Sequence, residues 1–411
     1  MLYLYNTISK SVRQFRPLNR KRVLYYTCGP SVYNFAHIGN LRTFFWEDVL
    51  HRVLLFNGYD VVRAMPISDI EDKSIIAFKK QSVFKSFKGF IDSRVRIFKR
   101  DMRKLGMLEP SFIVRFSDVV PQMISWIKKA IRKDLAYQYG KGNVFFDVSK
   151  CYGSGNYGLL YPINLKRSGI RMHDHYAVSG LYDFCLWKRS QKLPKGMSFL
   201  SPWSIGRPGS DPYCAVIIKE FLGSVIDIHA GGTDNKYPHH ENEIAFSCVW
   251  GAGAGFVRYW FHVAHLTVNK KKMSKRLGNV VYLSDVESRG FSAQDLRFFY
   301  CTGRFCKTQN FNYDLLKEAS VRRKALIKKL RAIMINGGAK TSDDVVVYNT
   351  IKKARQQIML LMNNNVQISR AFLKFEKLVD SLHGKSLGSS SISALQALCN
   401  DIEFITGISL V

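Results

Sequence analysis

Two pairs of side chains in this sequence are of the types that hold a metal ion. His239 and Glu243 stand four residues apart at the start of a predicted helix, so they share one helical face. Cys28 and Cys214 could join them, because two thiolates, an imidazole and a carboxylate make a tetrahedral zinc site. The alternative is that both cysteines are small buried apolar residues and that the histidine and glutamate run is a polar helix start. Spacing alone favours this alternative, because the cysteines are far apart in the chain.

A second candidate for chemistry is the basic stretch 270–279, KKKMSKRLGN. Lysine and arginine side chains on a closing loop can stabilise the charge that develops on pyrophosphate during nucleotidyl transfer. A solvated basic turn or a nucleic-acid contact would have the same composition, and the stretch by itself favours that interpretation.

The third candidate is the glycine-containing turn at 33–40, YNFAHIGN, which lies between a predicted strand and a predicted helix. The N-terminus of a helix offers free N–H groups and a positive dipole end, and phosphates bind there. Gly39 would let the backbone approach a ligand, and His37 and Asn40 could donate hydrogen bonds to it. Taken alone, a histidine before a glycine is more often an ordinary turn residue.

Strands and helices alternate in the part of the chain that must position these residues. We predict strands over 23–28 and 59–67 with a helix over 42–56 between them, which indicates a βαβ unit with a parallel sheet. Further predictions are helices over 78–104 and 117–136, an insertion of short strands and loops over 137–210, a strand over 222–229, a helix from 238, and helices from 312 onward that break at 337–338 and 384–391. Functional groups gather at the carboxyl ends of parallel strands, where the candidates fall.

The amino-acid composition indicates which class of partner the chain binds. Lys+Arg is 62 against Asp+Glu 31, a formal net charge of +31, which indicates a polyanionic partner such as nucleic acid. A lysine-rich genome is the alternative origin of that charge. No apolar run is long enough to cross a bilayer and no signal peptide is evident, so we expect a cytoplasmic protein without a membrane partner. The 8 cysteines show no tight pairing, which is typical of a reducing compartment.

Five ordered blocks together resemble the cysteinyl-tRNA synthetases of class I. The blocks are 28–40 CGPSVYNFAHIGN (the family's HIGH signature), 66–73 PISDIEDK, 201–214 SPWSIGRPGSDPYC, 227–243 DIHAGGTDNKYPHHENE and 272–276 KMSKR (its KMSKS signature). The match extends from about residue 2 to about 331 and continues weakly to the C-terminus. Five blocks in this order are far more specific than any one of them. They favour the functional interpretation of the three candidate stretches over the purely structural alternatives.

The resemblance implies a fold and a division into domains. The fold is an α/β Rossmann-like parallel-sheet catalytic domain with an inserted connective subdomain, followed by a C-terminal α-helical bundle. The expected limits are 1–110 and 201–255 for the catalytic domain, 111–200 for the insertion, 256–315 for the KMSKS-loop and stem-contact region and 316–411 for the helical tRNA-binding domain.

The resemblance also implies roles. ATP with Mg²⁺, L-cysteine and tRNA(Cys) are the expected substrates, one Zn²⁺ per chain is the expected cofactor, and a monomer is the family tendency. Zinc would bind the substrate thiolate and so reject serine. The implied residues are Cys28, Cys214, His239 and Glu243 for zinc; Ser68, Trp203 and His229 for cysteine; His37, Gly39 and Asn40 for the ATP phosphates; Gly231, Gly232 and Asp234 for adenosine; and Lys272 and Lys275 for pyrophosphate.

Three departures from the family pattern are visible. Arg276 replaces the last serine of the lysine signature and keeps a phosphate-binding charge. The stretch 210–213, SDPY, stands where the family usually has WHIE, which questions the geometry of the pocket. The chain stops at Val411, which predicts a short form without the family's C-terminal anticodon-binding extension.

Two other functions fit parts of the pattern. The cysteine ligase of mycothiol biosynthesis shares the fold, the zinc and the adenylate step but transfers cysteine to an amino sugar. A non-catalytic RNA-binding paralogue would have lost a zinc ligand or the lysine signature, and neither is lost here.

Overall fold

The computed structural model describes residues 1–163, 182–190, 196–338 and 343–410. The strands are β1 Tyr3–Asn6, β2 Ser11–Gln14, β3 Arg22–Thr27, β4 Asp60–Ile67, β5 Phe112–Arg115, β6 Ala136–Tyr139, β7 Asn143–Phe146, β8 Phe184–Arg189, β9 Phe199–Leu200, β10 Ile205–Pro208, β11 Ile226–Gly232, β12 Val257–Val263, β13 Leu266–Val268, β14 Lys271–Lys272 and β15 Gln309–Phe311. The helices are α1 Ile38–Phe56, α2 Asp72–Lys79, α3 Phe87–Lys104, α4 Val120–Arg132, α5 Ser149–Tyr152, α6 Pro212–Phe221, α7 His239–Ser247, α8 Leu283–Ser288, α9 Ala293–Thr302, α10 Tyr313–Ile335, α11 Asp344–Asn363, α12 Ile368–Leu382 and α13 Ser389–Thr406.

A five-stranded parallel sheet in the order β12-β11-β3-β4-β5 forms the centre of the fold. From β3 the chain moves to β4 and β5 on one side, and it later returns through β11 and β12 on the other side. The strand order therefore reverses between β3 and β11, and in open α/β sheets a crevice for ligands opens at such a point. The expected Rossmann-like parallel sheet is confirmed.

Helix α1 is the crossover between β3 and β4, and apolar residues on most of its surface are buried. The broad apolar coverage has a direct cause, because α1 packs against β4 and β11 and also against α9 and α13. Its N-terminus lies at the carboxyl end of β3. The position of this terminus is thus determined by the core and not by a surface loop.

The insertion between β5 and β11 carries a second sheet, in the order β6-β7-β8-β10-β9, whose strand pairs are antiparallel. Residues 164–181 and 191–195 of the expected insertion lie outside the described residues. The parallel sheet includes β5, after residue 110, and β12, after residue 255. The expected domain limits remain a prediction.

The C-terminal region is helical, as expected, and a buried ion pair fastens it to α1. Arg297 Nη2 of α9 lies 2.5 Å from Asp48 Oδ2 of α1, and Arg52 Nε lies 2.9 Å from the same oxygen. Arg52 also donates to the carbonyl of Phe404 in α13, and Arg297 donates to that of Thr406. These contacts stabilise the helical region against the helix that begins the cleft.

The structure adds breaks that the sequence pattern did not predict. The predicted helix over 78–104 is two helices, because the chain leaves α2 at Lys80 and restarts after the N-cap Ser86, whose side chain accepts from Gly89 N. A further break separates α11 from α12, where Asn365 and Val366 have φ of 57° and 51°. No helix within the described residues is apolar enough over a sufficient length to cross a membrane.

Candidate active site

A cleft of about 470 Å³ opens at the carboxyl ends of β3 and β11. It brings together three of the sequence candidates, because its walls come from the segment after β3, from the start of α1, from the end of β11 and from the lysine stretch. The lining includes Cys28, Ser31, His37, Asn40, Lys73, Gly232, Asp234, Met273 and Ser274.

His37 and Asn40 form a reciprocal cap at the start of α1. His37 Nδ1 accepts from the Asn40 backbone N–H at 3.2 Å, and Asn40 Oδ1 accepts from the His37 backbone N–H at the same distance. Burial lowers the pKa of His37, so the ring is neutral near pH 7 and carries its proton on Nε2. Residue 37 therefore presents an N–H donor beside the positive end of a helix, which suits a phosphate oxygen.

Close contacts surround the glycines at the end of β11. A Cβ at Gly231 would lie 3.1 Å from Cys28 Sγ and 3.0 Å from His240 Cε1. A Cβ at Gly232 would overlap the carboxylate of Asp234. Gly232 lines the cleft, where a nucleoside can approach its backbone.

The lysine stretch folds as a β-hairpin followed by a loop that the side chain of Asn279 holds closed. Asn269 and Lys270 form the turn between β13 and β14 with φ of 49° and 62°, the left-handed pair that two-residue hairpins favour. Asn279 then closes the loop, because its side chain donates to the Lys272 carbonyl at 3.1 Å and accepts from Ser274 N at 2.9 Å. Lys272 is exposed at the end of β14. The Lys275 side chain lies outside what the structure describes.

The predicted metal ligands meet below the cleft. The donor atoms of Cys214, His239 and Glu243 all lie within 4.8 Å of one another. Cys28 belongs to a second group, with His229, His240 and Glu243, whose donor atoms meet the same limit. Glu243 is common to both groups. The four predicted ligands thus converge on one region, although Cys28 contacts His240 directly, with Sγ 3.2 Å from Nε2.

The chemistry of these donors fits a bound cation. His239 Nδ1 lies 3.0 Å from Asp211 Oδ1 and donates to it, so the neutral ring has a lone pair on Nε2. That nitrogen lies 3.0 Å from Glu243 Oε1, a buried oxygen with no other polar partner within the described residues. Two electron-pair donors at this distance require a positive charge between them, either a proton or a metal ion.

The pKa values point the same way. Burial raises the pKa of the Cys28 thiol to about 12 and also raises that of Cys214. Burial would lower the pKa of His239, but its neighbours Cys214, Glu243 and Asp211 outweigh burial and raise that pKa. Without a metal the site therefore holds protons, and a metal ion would replace them, as is usual when thiols and histidines become ligands.

The three residues expected around the cysteine substrate lie in three separate parts of the fold: His229 in β11, Trp203 between β9 and β10, and Ser68 after β4. His229 is fully buried in β11, with Nε2 2.7 Å from Glu243 Oε2 and its ring stacked on Trp260. Trp203 is half-buried in the insertion and packs on Trp187 with ring centroids 5.7 Å apart. Ser68 follows β4, where its carbonyl accepts from Val32 N.

A buried histidine chain behind the site escaped the sequence reasoning. His240 Nδ1 lies 2.9 Å from His262 Nε2, and His262 Nδ1 lies 2.7 Å from Thr7 Oγ1. Together with the contact between His240 and Cys28, the chain runs from the cleft to the N-terminal segment. His262 lies in β12, whose sequence VRYWFHV is rich in β-formers. That composition could have predicted the strand, although not the contacts of its histidine.

Helix α7 also anchors the insertion. The carboxylate of Glu241 accepts from the backbone N–H groups of Gly158, Leu160 and Tyr161 at 2.5 to 3.0 Å. Tyr157 OH donates to Asn242 Oδ1 at 2.8 Å. All eight residues from 240 to 247 are buried, so every side of this helix makes contacts.

A parallel sheet with a cleft at its switch point, a helix N-terminus at that cleft and the lysine signature beside it are the features of the catalytic domain of a class I aminoacyl-tRNA synthetase. The family described as "tRNA synthetases class I (C) catalytic domain" matches residues 14–321. Among solved structures, the Agrobacterium radiobacter K84 LeuRS–tRNA–LeuAMS complex superposes with a TM-score of 0.67 at 11% identity, covering 96% of this chain and 85% of that one. Mycobacterium tuberculosis methionyl-tRNA synthetase bound to methionyl-adenylate gives 0.64 at 14% identity, covering 94% and 90%. These likenesses show the fold.

Sequence relatives give the family. The cysteine–tRNA ligase of Chlamydia trachomatis serovar D is 37% identical over 362 residues, which is 87% of this chain and 74% of that protein. The cysteine–tRNA ligase of Finegoldia magna is 32% identical over 416 residues, or 98% and 87%. The chain belongs to the cysteine–tRNA ligase family of class I synthetases and is a ligase.

Proposed function

We propose that this chain activates L-cysteine with ATP to cysteinyl-adenylate and transfers it to the 3′-terminal adenosine of tRNA(Cys), with zinc holding the substrate thiolate. The observation that carries the proposal is the convergence of Cys214, His239 and Glu243, with Cys28 beside them, below a cleft that begins at a helix N-terminus. A soft-metal site next to a phosphate site suits a thiol-bearing amino acid that reacts with ATP.

In this proposal Cys28, Cys214, His239 and Glu243 hold Zn²⁺. Bound zinc supplies a soft Lewis acid that favours a thiolate over a hydroxyl, which selects cysteine against serine. His229 holds the second oxygen of Glu243, which leaves Oε1 to face His239. Ser68 and Trp203 complete the cysteine pocket on the sides of β4 and the insertion.

The cleft positions ATP for attack by the cysteine carboxylate on the α-phosphate. His37 Nε2–H and the side-chain amide of Asn40 bind phosphate oxygens at the start of α1, where Gly39 leaves room for the Met273 methyl. Gly231, Gly232 and Asp234 hold the adenosine, with the carboxylate near the ribose. Lys272 and Lys275 stabilise the departing pyrophosphate, and Mg²⁺ accompanies ATP. None of these roles requires a protein nucleophile, because positioning and charge supply the rate.

Transfer uses the 2′-hydroxyl of the terminal adenosine, as the class implies. The net charge of +31 supplies attraction for the tRNA backbone. The active unit in this proposal is a monomer.

The test is transfer of labelled cysteine to an unmodified tRNA(Cys) transcript, with a serine tRNA as control. Selective charging is expected. Adenylate formation without charging would contradict the proposed acceptor and point to another one, such as an amino sugar.

A second experiment tests the zinc assignment. Cys214→Ala is expected to lose bound zinc and cysteine activation, whereas Cys301→Ala, which removes a buried thiol outside both donor groups, retains them. Full activation by the Cys214 variant would contradict the zinc assignment.

A further inference from the structure

We infer that Asp211 is a positioning residue that fixes the ring of His239 and ties together the two helices that carry metal ligands. The inference rests on the proposed function, because it takes His239 to be a ligand. Asp211 lies in the stretch 210–213, where this chain departs from the usual family sequence. In this chain Asp211 contacts a predicted metal ligand from that stretch.

The first step is the orientation of the imidazole. Asp211 Oδ1 lies 3.0 Å from His239 Nδ1, and a carboxylate can only accept, so the ring proton is on Nδ1. The lone pair is then on Nε2, the nitrogen that lies 3.0 Å from Glu243 Oε1. A carboxylate that holds one nitrogen of a ligand histidine sets its tautomer and raises its basicity toward a metal.

The second step is the position of the carboxylate itself. Its other oxygen, Oδ2, accepts from Asn242 Nδ2 at 2.7 Å, and Asn242 Oδ1 accepts from Tyr157 OH at 2.8 Å. Each group in this chain has one possible role as donor or acceptor once the tyrosine hydroxyl donates. The chain therefore holds Asp211 in one orientation.

The third step is the connection between helices. Asp211 immediately precedes α6, which carries Cys214, whereas both of its partners, His239 and Asn242, are on α7. One carboxylate thus receives two hydrogen bonds from the helix of His239 and Glu243 at the start of the helix of Cys214. Loss of it would loosen the spacing between ligands as well as the ring orientation.

The experiment measures zinc affinity of the full chain by competition with a chromophoric chelator. Asp211→Ala is expected to weaken zinc binding by roughly ten- to a hundredfold. Asp211→Asn keeps an acceptor for His239 Nδ1 and is expected to fall between Asp211→Ala and the unchanged protein. Asp134→Asn is the control, since Asp134 is an exposed partner of Lys150 far along the chain from any ligand.

Visible spectra of the cobalt-substituted proteins provide a readout that a merely structural role would not move. The bands of tetrahedral cobalt with thiolate ligands are expected to shift in Asp211→Ala and to stay close to those of the unchanged protein in Asp211→Asn. Zinc affinity of Asp211→Ala within about twofold of the unchanged protein, or Asp211→Asn no tighter than Asp211→Ala, would overturn the inference. If the unchanged protein itself binds neither metal, the proposed zinc site fails, which is a separate result.

Discussion

The terminal methyl of Met273 occupies the space beside Gly39 where a side chain would otherwise begin. The lysine loop and the first turn of α1 are therefore in direct contact. The same helix start is bound to the segment after the loop, because Ile38 N donates to the Val281 carbonyl at 2.9 Å. The turn at 37–40 and the loop that carries Lys272 are therefore positioned as one unit.

This contact predicts the effect of adding one methyl group. In Gly39→Ala the new Cβ would lie 2.5 Å from Met273 Cε and 3.1 Å from the His37 ring, so the Met273 side chain must move and the His37 ring must give by a few tenths of an ångström. We expect kcat/KM for ATP–pyrophosphate exchange to fall by roughly ten- to a hundredfold, since small misplacements of reacting groups are costly. Shortening Met273 to Ala in the same chain should restore part of the rate. A double variant no faster than Gly39→Ala would show that the collision is not the cause.

Lys272 should matter far more than its neighbour Lys271. Both are exposed in β14, but Lys272 leads directly into the loop that lines the cleft. If Lys272 stabilises the leaving pyrophosphate, Lys272→Ala should lower kcat for exchange by roughly a hundred- to a thousandfold, the usual loss for one charge-stabilising group. Lys271→Ala serves as the matched control and should stay within about threefold, as a surface lysine does. Equal losses would indicate a general electrostatic effect.

Removal of metal should stop cysteine activation reversibly. A chelator strong enough to extract zinc should abolish cysteine-dependent exchange, and added Zn²⁺ should restore it, because the buried thiols of Cys28 and Cys214 otherwise hold protons. Metal analysis before and after treatment checks the cause. Exchange that continues after the zinc has left would rule out a role for zinc in activation.

The ion pair between Asp48 and Arg297 should contribute strongly to folding. Both side chains have no exposure, so Asp48→Asn leaves a buried guanidinium without its counter-charge. We expect a loss of about 3–5 kcal/mol in the free energy of unfolding, measured by urea denaturation with far-UV circular dichroism. Asp134→Asn is the control; Asp134 is exposed and pairs with the exposed Lys150, and such pairs contribute about 0–1 kcal/mol. An unchanged urea midpoint for Asp48→Asn would contradict the expectation.

The same pair predicts a pH dependence. Burial would raise the pKa of Asp48, but Arg297, Arg52 and Arg63 outweigh it and lower that pKa below its usual value. The native state then binds fewer protons than the unfolded one, so this stabilisation is complete above the unfolded pKa of about 3.9 and declines as the pH falls through the lower folded value. Unfolding midpoints between pH 3 and 6 should therefore fall more steeply for the unchanged protein than for Asp48→Asn. Parallel curves would contradict the assignment.

Local patterns predicted the elements of the site well. The β3–α1–β4 unit follows from apolar runs of strand and helix length, and His239 and Glu243 share a face because they are four residues apart. The contacts of Asp211 with His239 and of His262 with Thr7 could not be predicted. The first contact joins residues that are 28 positions apart in the chain, and the second joins residues that are 255 positions apart. Only the packing of separate elements brings them together. The sequence spacing of the predicted ligands likewise did not indicate that Cys28 would contact His240, which was not one of them.

The burial of α7 on every side has an evolutionary consequence. His239, His240 and Glu243 of this helix belong to the two groups of metal-ligand candidates, Glu241 holds the insertion, Asn242 holds Asp211, and His240 also begins the histidine chain. A substitution at almost any of these positions disturbs a partner in a different part of the chain. Selection is therefore expected to tolerate single substitutions in α7 less often than single substitutions at exposed positions.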